Sequence, residues 1–234
     1  MLDIHPPHEA VHTWRDFFIH IATIVVGLLI AIGLEQTVET IHRRHERTEL
    51  LQRLHEESQQ IVNECAQSKA VLATRDQQLS SRIEQLQVVL WQNRPLALTD
   101  PSTGPTVLQR PDDPIWRAAK TGGLASRLSS EEINAYSEVE TLSAKVEIAY
   151  DRMVVIHLDR TAFEHEFPGP DFDPDLSHAS PADLRQYLQL LTRERAAVIY
   201  VDLMVAGMRG AEASILQGNY DAHEIRTSEQ NQTK

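Results

Sequence analysis

The run FFIHIATIVVGLLIAIGL, from Phe17 to Leu34, carries no formal charge and decides the fold of this chain. As a helix, about 18 residues rise roughly 27 Å, close to the hydrocarbon thickness of a bilayer. Trp14 stands just before it, where an interfacial aromatic belongs. His20 and Thr23 are its only polar side chains, and both lie near one end. The run is apolar on every face, whereas the core helix of a small domain keeps a polar stripe. Ala31-Ile32-Gly33 offers the small-x-small pattern of a signal-peptide cleavage site. Against that reading, Arg15 is the only basic side chain upstream, offset by Asp3, Glu9 and Asp16, and the helical pattern runs on past the cut. The expectation is a transmembrane helix over residues 17–34 behind an N-terminal tail, residues 1–16. The other long apolar stretch, Ala196–Met208, is too short to span and carries Asp202, so it reads as a core helix and the protein as single-pass.

Charge near the span bears on orientation. Arg43, Arg44, Arg47 and Arg53 follow it, and Arg15 alone precedes it. Basic residues are retained in the cytoplasm, so the count favours a cytoplasmic C-terminal domain over a periplasmic one. The net charge of -12 tells against sequence-independent nucleic-acid binding, which needs Lys and Arg to displace counterions. The single cysteine, Cys65, allows no intrachain disulfide and no Cys-based zinc site.

Outward from the span, the pattern stays helical. No Pro or Gly occurs from Glu35 to Asn93. Leu51, Ser58, Cys65, Leu72, Leu79 and Leu86 recur every seven residues, and Leu54, Ile61, Ser68, Ile83 and Leu90 form a second, less regular row. This is a coiled-coil-like stripe whose serines point to packing against later helices of the same chain. Residues 94–113, rich in Pro and Thr, read as an irregular connector. A short helix near Ile115–Thr121 stops at Gly122-Gly123. Ser129-Ser130-Glu131-Glu132 announces a third helix by capping, with Ile133, Tyr136, Leu142, Val146, Tyr150, Met153 and Ile156 as its stripe. An acidic loop, residues 168–180, leads to Ser180-Pro181, a cap and first-turn proline for a last helix that fades near Gly218. The polar tail, residues 219–234, reads as disordered. The expected fold is all-α: an N-terminal transmembrane helix continuous with an antiparallel helical bundle of three long helices and one short one, residues 35–218.

Leads toward chemistry are few. His5, His8 and His12 cluster before the span, and His42 and His45 lie one turn apart after it. Imidazole is the commonest metal ligand, which makes these five the weak metal candidates. Glu39-x-x-His42 has the spacing of a di-iron bundle motif, but no second copy faces it. Asp171, Asp173 and Asp175 open like a calcium loop, yet Leu176 stands where the sharp-turn glycine belongs and Ala182 where the bidentate glutamate belongs. Thr23, Gly27 and Ala31, spaced by four, form a small-residue stripe through which two spans can approach as a homodimer. His20, inside the apolar run, is the default functional residue there. Cys65 falls on the heptad row, which implies packing rather than a reactive thiolate. No nucleophile elbow and no phosphate loop is present, so no catalytic residue and no cofactor is expected, and the enzyme reading is the weakest.

His12-Thr13-Trp14-Arg15-Asp16-Phe17-Phe18, running into Gly27-Leu28-Leu29-Ile30-Ala31-Ile32-Gly33-Leu34-Glu35-Gln36, resembles the N-terminus of a widespread group of uncharacterised bacterial membrane proteins with a G-L-L-I-A-x-x-L-E span. Asp113–Gly123, Leu124 and the Ser129–Tyr136 helix start are similar to a second block of that group. The resemblance implies a bacterial inner-membrane protein and supplies no catalytic residues. Together these features lead to a membrane-anchored interaction or scaffold module, whose partners are the bilayer and an unidentified protein, with no nucleic acid. The alternative is a sensor-like bundle that binds a ligand or metal, with a polar pocket drawing on Asp151, His157 and Arg160.

Overall fold

The computed structural model describes residues 14–92, 108, 110–169 and 174–225. The chain divides into two compact units, residues 1–49 and 50–234. Four α-helices carry the fold: α1 (Trp14–Gln92), α2 (Pro114–Thr121), α3 (Ser130–Glu164) and α4 (Pro181–Leu216). Short 3-10 turns cover Leu124–Arg127 and Leu176–His178. Among the described residues the only β pairing is an isolated bridge between Pro168 and Pro174. The fold is all-α, as expected.

The first unit contains the N-terminal part of α1. One segment of this helix is long and apolar enough to cross a bilayer, and none of that segment is buried. Full exposure removes the core-helix reading of Phe17–Leu34. The threonine hydroxyls here turn inward on the backbone: Thr23 donates to the Ile19 carbonyl at 2.9 Å and Thr37 to that of Gly33 at 2.7 Å. Such back-bonding satisfies a hydroxyl without a partner helix.

The second unit is built on three heptad seams. On α1 the buried positions run Leu54, Ser58, Ile61, Cys65, Ser68, Leu72, Arg75, Leu79, Arg82 and Leu86, alternating steps of four and three. On α4 they run Leu184, Tyr187, Leu191, Glu194, Val198, Val201, Val205, Met208, Glu212 and Ile215. The α3 seam includes Ala135, Val139, Leu142, Val146, Ala149, Met153, Arg160 and Phe163. Polar contacts give the directions. Ser58 meets Tyr136 and Glu212, whereas Arg75 meets His157 and Glu194. Numbering therefore rises together on α1 and α3 and falls on α4. The bundle is antiparallel at α4 against both other helices, while α1 and α3 run the same way.

Helix starts follow their sequence signals. Ser129 and Ser180 each close a capping box, with Glu132 and Asp183. Pro181 takes the first turn of α4, where its missing N–H costs nothing. Gly123 and Gly218 adopt positive φ, 76° and 79°, after α2 and α4, a conformation only glycine enters freely. Helix α2 is capped differently. Its cap residue Asp113 makes no capping bond, and the Glu57 carboxylate of α1 accepts the Ile115 and Trp116 amides at 2.7 and 3.2 Å. Glu57 is thus a tertiary cap that fastens α2 to α1. Trp116 is 2% exposed and stacks on Tyr136 at 5.5 Å, whereas Trp14 and Trp91 are 75% exposed. Glu57→Ala is expected to cost about 1–3 kcal/mol, because a buried amide and a half-buried one lose their acceptor. In a Trp14→Phe, Trp91→Phe background, Trp116 emission should shift to the red at lower denaturant concentration.

One expectation changes. Disorder from 219 onward fails over 219–225, where Ile225 is fully buried, Tyr220 packs on Tyr136 at 6.3 Å and a helical turn forms at 222–225. Residues 226–234 lie outside the described ones, as does the N-terminal tail to residue 13. The connector is irregular where it is described, but Leu108 is buried and joins the core.

Candidate functional site

Charged residues on the seams meet in the core. The Glu194 carboxylate of α4 accepts from Arg75 of α1 and from Arg160 Nε of α3, the latter at 2.5 Å. His157 Nδ1 lies 3.1 Å from Glu194 Oε1 and 3.3 Å from the Nη2 atoms of Arg75 and Arg160. Arg160 also reaches Glu164, which accepts from the Tyr187 hydroxyl at 2.5 Å. Phe163 stacks on the Tyr187 ring at 5.6 Å. Burial would raise the Glu194 carboxyl, but the His157 hydrogen bond and the Arg160 and Arg75 guanidiniums outweigh it and hold it at about 2. Burial pushes the Tyr187 hydroxyl up. Apposed arginines and glutamates answer each other across three helices. Such a layer fixes helix register, since a slip of one turn strands a charge in the core.

A second buried group lies toward the other end of the bundle. Glu212 is 2% exposed, bonds to Ser58 and leaves Oε2 without a hydrogen-bond partner. Burial, with Glu57 and Asp113 nearby, pushes its carboxyl up to about 7 despite the Ser58 bond. Cys65 is buried close by, and its thiol is pushed up to about 12 by burial and by Glu212, which makes it a packing residue rather than a nucleophile.

Between these layers a cavity of about 520 Å³ opens beside α3. Its apolar floor is Val146, Val201, Val205 and Leu108, with the Ser68 and Ser143 side chains at its wall. Its rim is charged and mostly paired. Arg110 holds Asp151 at 2.8 Å and covers the Tyr150 ring at 4.6 Å. Arg117 holds Asp112, and its Nε lies 3.3 Å from Asp113 Oδ1. Glu140 takes Lys120 at 2.6 Å and the Trp116 indole N–H at 3.0 Å. Asp113 is 5% exposed, and its Oδ2 has no hydrogen-bond partner.

No family model matches the chain, and no curated protein or solved structure does so.

Of the residues singled out from sequence, His157 and Arg160 come together, but Asp151 does not join them and pairs with Arg110 at the cavity rim instead. Thr23, Gly27 and Ala31 lie on exposed helix surface, and a Cβ added at Gly27 would meet nothing within 4 Å. His42 pairs with Glu46 at 3.1 Å, and no three His, Cys, Asp or Glu converge as a metal site among the described residues. His5, His8 and His12 lie outside them, as do Asp171 and Asp173. Asp175 caps the Leu176–His178 turn by accepting the Ser177 amide at 3.0 Å. Arg75, Glu194, Glu212 and Asp113 were not foreseen. The first three could have been found as charges sitting on heptad rows.

Proposed function

We propose that this chain is a single-pass bacterial inner-membrane protein whose helical bundle serves as an interaction or scaffold module. The observation that carries this reading is apolar surface left uncovered on the bundle. On the outer face of α3, Ala144, Ile148, Val155, Leu158 and Ala162 lie along one stripe, interrupted between Ile148 and Val155 by Asp151, and Ile148, Val155 and Leu158 remain 69%, 57% and 58% exposed. A second helix lying along this face would bury them in the manner of a coiled coil. The exposed span supports anchoring, and the arginines after it favour a cytoplasmic bundle.

Cysteine placed at Val155 in a Cys65→Ser background tests the interaction. Treating membranes from expressing cells with a bis-maleimide should yield an adduct above the monomer mass. A chain that stays monomeric at every reagent concentration would sink the α3 reading. Cysteine at the exposed Gln189 reports topology: labelling by an impermeant maleimide only after lysis is expected, and labelling in intact cells would place the bundle outside.

The cavity favours a second reading, a sensor-like bundle that binds a small ligand. Its volume falls within the range of ligand sites, and it joins an apolar floor to a few polar groups.

A further inference from the structure

We propose that the partner on the outer face of α3 is a second copy of this chain, its α3 laid alongside in the same direction. This rests on the interaction-module reading and names the partner. With Asp151 included, the exposed positions Ala144, Ile148, Asp151, Val155, Leu158 and Ala162 step four, three, four, three, four, the spacing that two helices bury by winding on each other. Charges on the flanks of this seam choose the occupant. In a parallel pair, the residue just before a leading seam position meets, on its partner, the residue five places further along. At Ile148 that rule joins Glu147 to Arg152 of the second copy, and seven residues earlier it joins Glu140 to Lys145 of the second copy. Symmetry repeats each pair. Arg152 is exposed, its neighbours one turn away on α3 are Ile148, Ala149, Val155 and Ile156, and it pairs with no carboxylate among the described residues. Glu147 is only loosely held, 3.8 Å from Arg110, which takes Asp151 at 2.8 Å. That same bond answers the charge of Asp151, the one charged position in the seam, and a single polar seam position fixes register. The antiparallel register that buries Ile148 against Leu158 of the second copy instead sets Arg152 against its own counterpart. Direction agrees with anchoring. Because α1 and α3 run the same way, a parallel pair brings both α1 helices into their bundles from one end, as two copies held in one bilayer require. A seam this short pairs weakly in dilute solution, and tethering both copies to one membrane raises their effective concentration.

The test uses the full chain in isolated membranes, in a Cys65→Ser background, as two co-expressed copies with different tags. With Val155→Cys on both, oxidation by copper-phenanthroline should give a disulfide-linked product carrying both tags, because equivalent seam residues face each other in a parallel pair. Arg152→Glu on both copies turns attraction into repulsion and should lower that yield about fivefold, and Glu147→Lys on both should do the same. Arg152→Glu on one copy with Glu147→Lys on the other restores attraction at both Glu147–Arg152 contacts, so the two-tag product should return. All three positions are exposed, so the substitutions leave the core intact. A yield that ignores the charge reversals, or no recovery in the mixed pair, would overturn the parallel pairing. So would a disulfide between an Ile148→Cys copy and a Leu158→Cys copy with none at Val155, the mark of the antiparallel register. A bis-maleimide adduct of Val155→Cys that never carries both tags would put another protein on this face, overturning self-association and leaving the interaction module in place. No adduct of any kind would remove both.

Discussion

Glu194→Ala is expected to remove about 3–5 kcal/mol of folding free energy, because it takes away the carboxylate that two buried guanidiniums share and leaves Glu164 to answer Arg160. Arg75 and Arg160 both bond this carboxylate, and their side chains are 3% exposed. Neither can turn to water without opening the bundle. Chemical denaturation of the purified full chain, followed by Trp116, measures the loss. The matched control is the exposed Glu84→Ala, expected to change stability by about 0.5 kcal/mol or less. Equal midpoints for the two variants would show that the charged layer does not hold the bundle. The pH dependence has a definite sign. Glu194 is held at about 2, below the roughly 4.3 of an unfolded glutamate. Its contribution is therefore full above about pH 4.3 and is lost as the pH falls toward 2. In Glu194→Ala that part of the acid dependence should vanish.

The opposite sign holds at Glu212, whose carboxyl is raised to about 7. Below about pH 4.3 the group is protonated in both folded and unfolded chains and costs nothing. Between pH 4.3 and 7 the unfolded chain ionises while the folded one keeps its proton, so stability falls as the pH rises. Above 7 the penalty is complete, at about 4 kcal/mol. Glu212→Gln removes the ionisation and keeps an oxygen and an NH₂ group for Ser58. The variant is expected to match the wild type near pH 4 and to exceed it by about 1–3 kcal/mol at pH 8, the lower figure allowing for the buried amide. Midpoints that move in parallel from pH 4 to 8 would contradict this account.

Much of the fold is legible in the sequence because its signals are local. Ser129 with Glu132 and Ser180 with Asp183 begin helices through bonds spanning three residues, and these caps lie where the capping pattern puts them. The apolar run ending at Leu34 marks itself by composition alone. The heptad rows are half legible. Following only apolar side chains, the second row of α1 breaks after Ser68 and resumes, out of step, at Ile83. The continuous row passes through Arg75 and Arg82, both buried. Likewise the α4 row passes through Glu194 and Glu212. A charge on a seam usually means solvent, and only another helix bearing the opposite charge at the same level reverses that.

The sequence by itself therefore determined an all-α chain with one bilayer-length apolar segment, the helix starts and stops, and a packing thiol at Cys65. Each rests on hydrogen bonds, periodicity or composition within a few turns of one helix. Only the tertiary structure decided that α1 and α3 run parallel, that Glu57 caps α2, that Asp151 serves Arg110 rather than His157, and that Asp113 lies at a cavity with one oxygen unanswered. The physical reason is common to all four. Burial and charge pairing depend on which side chains meet across helices far apart in sequence, and no spacing along one helix records them.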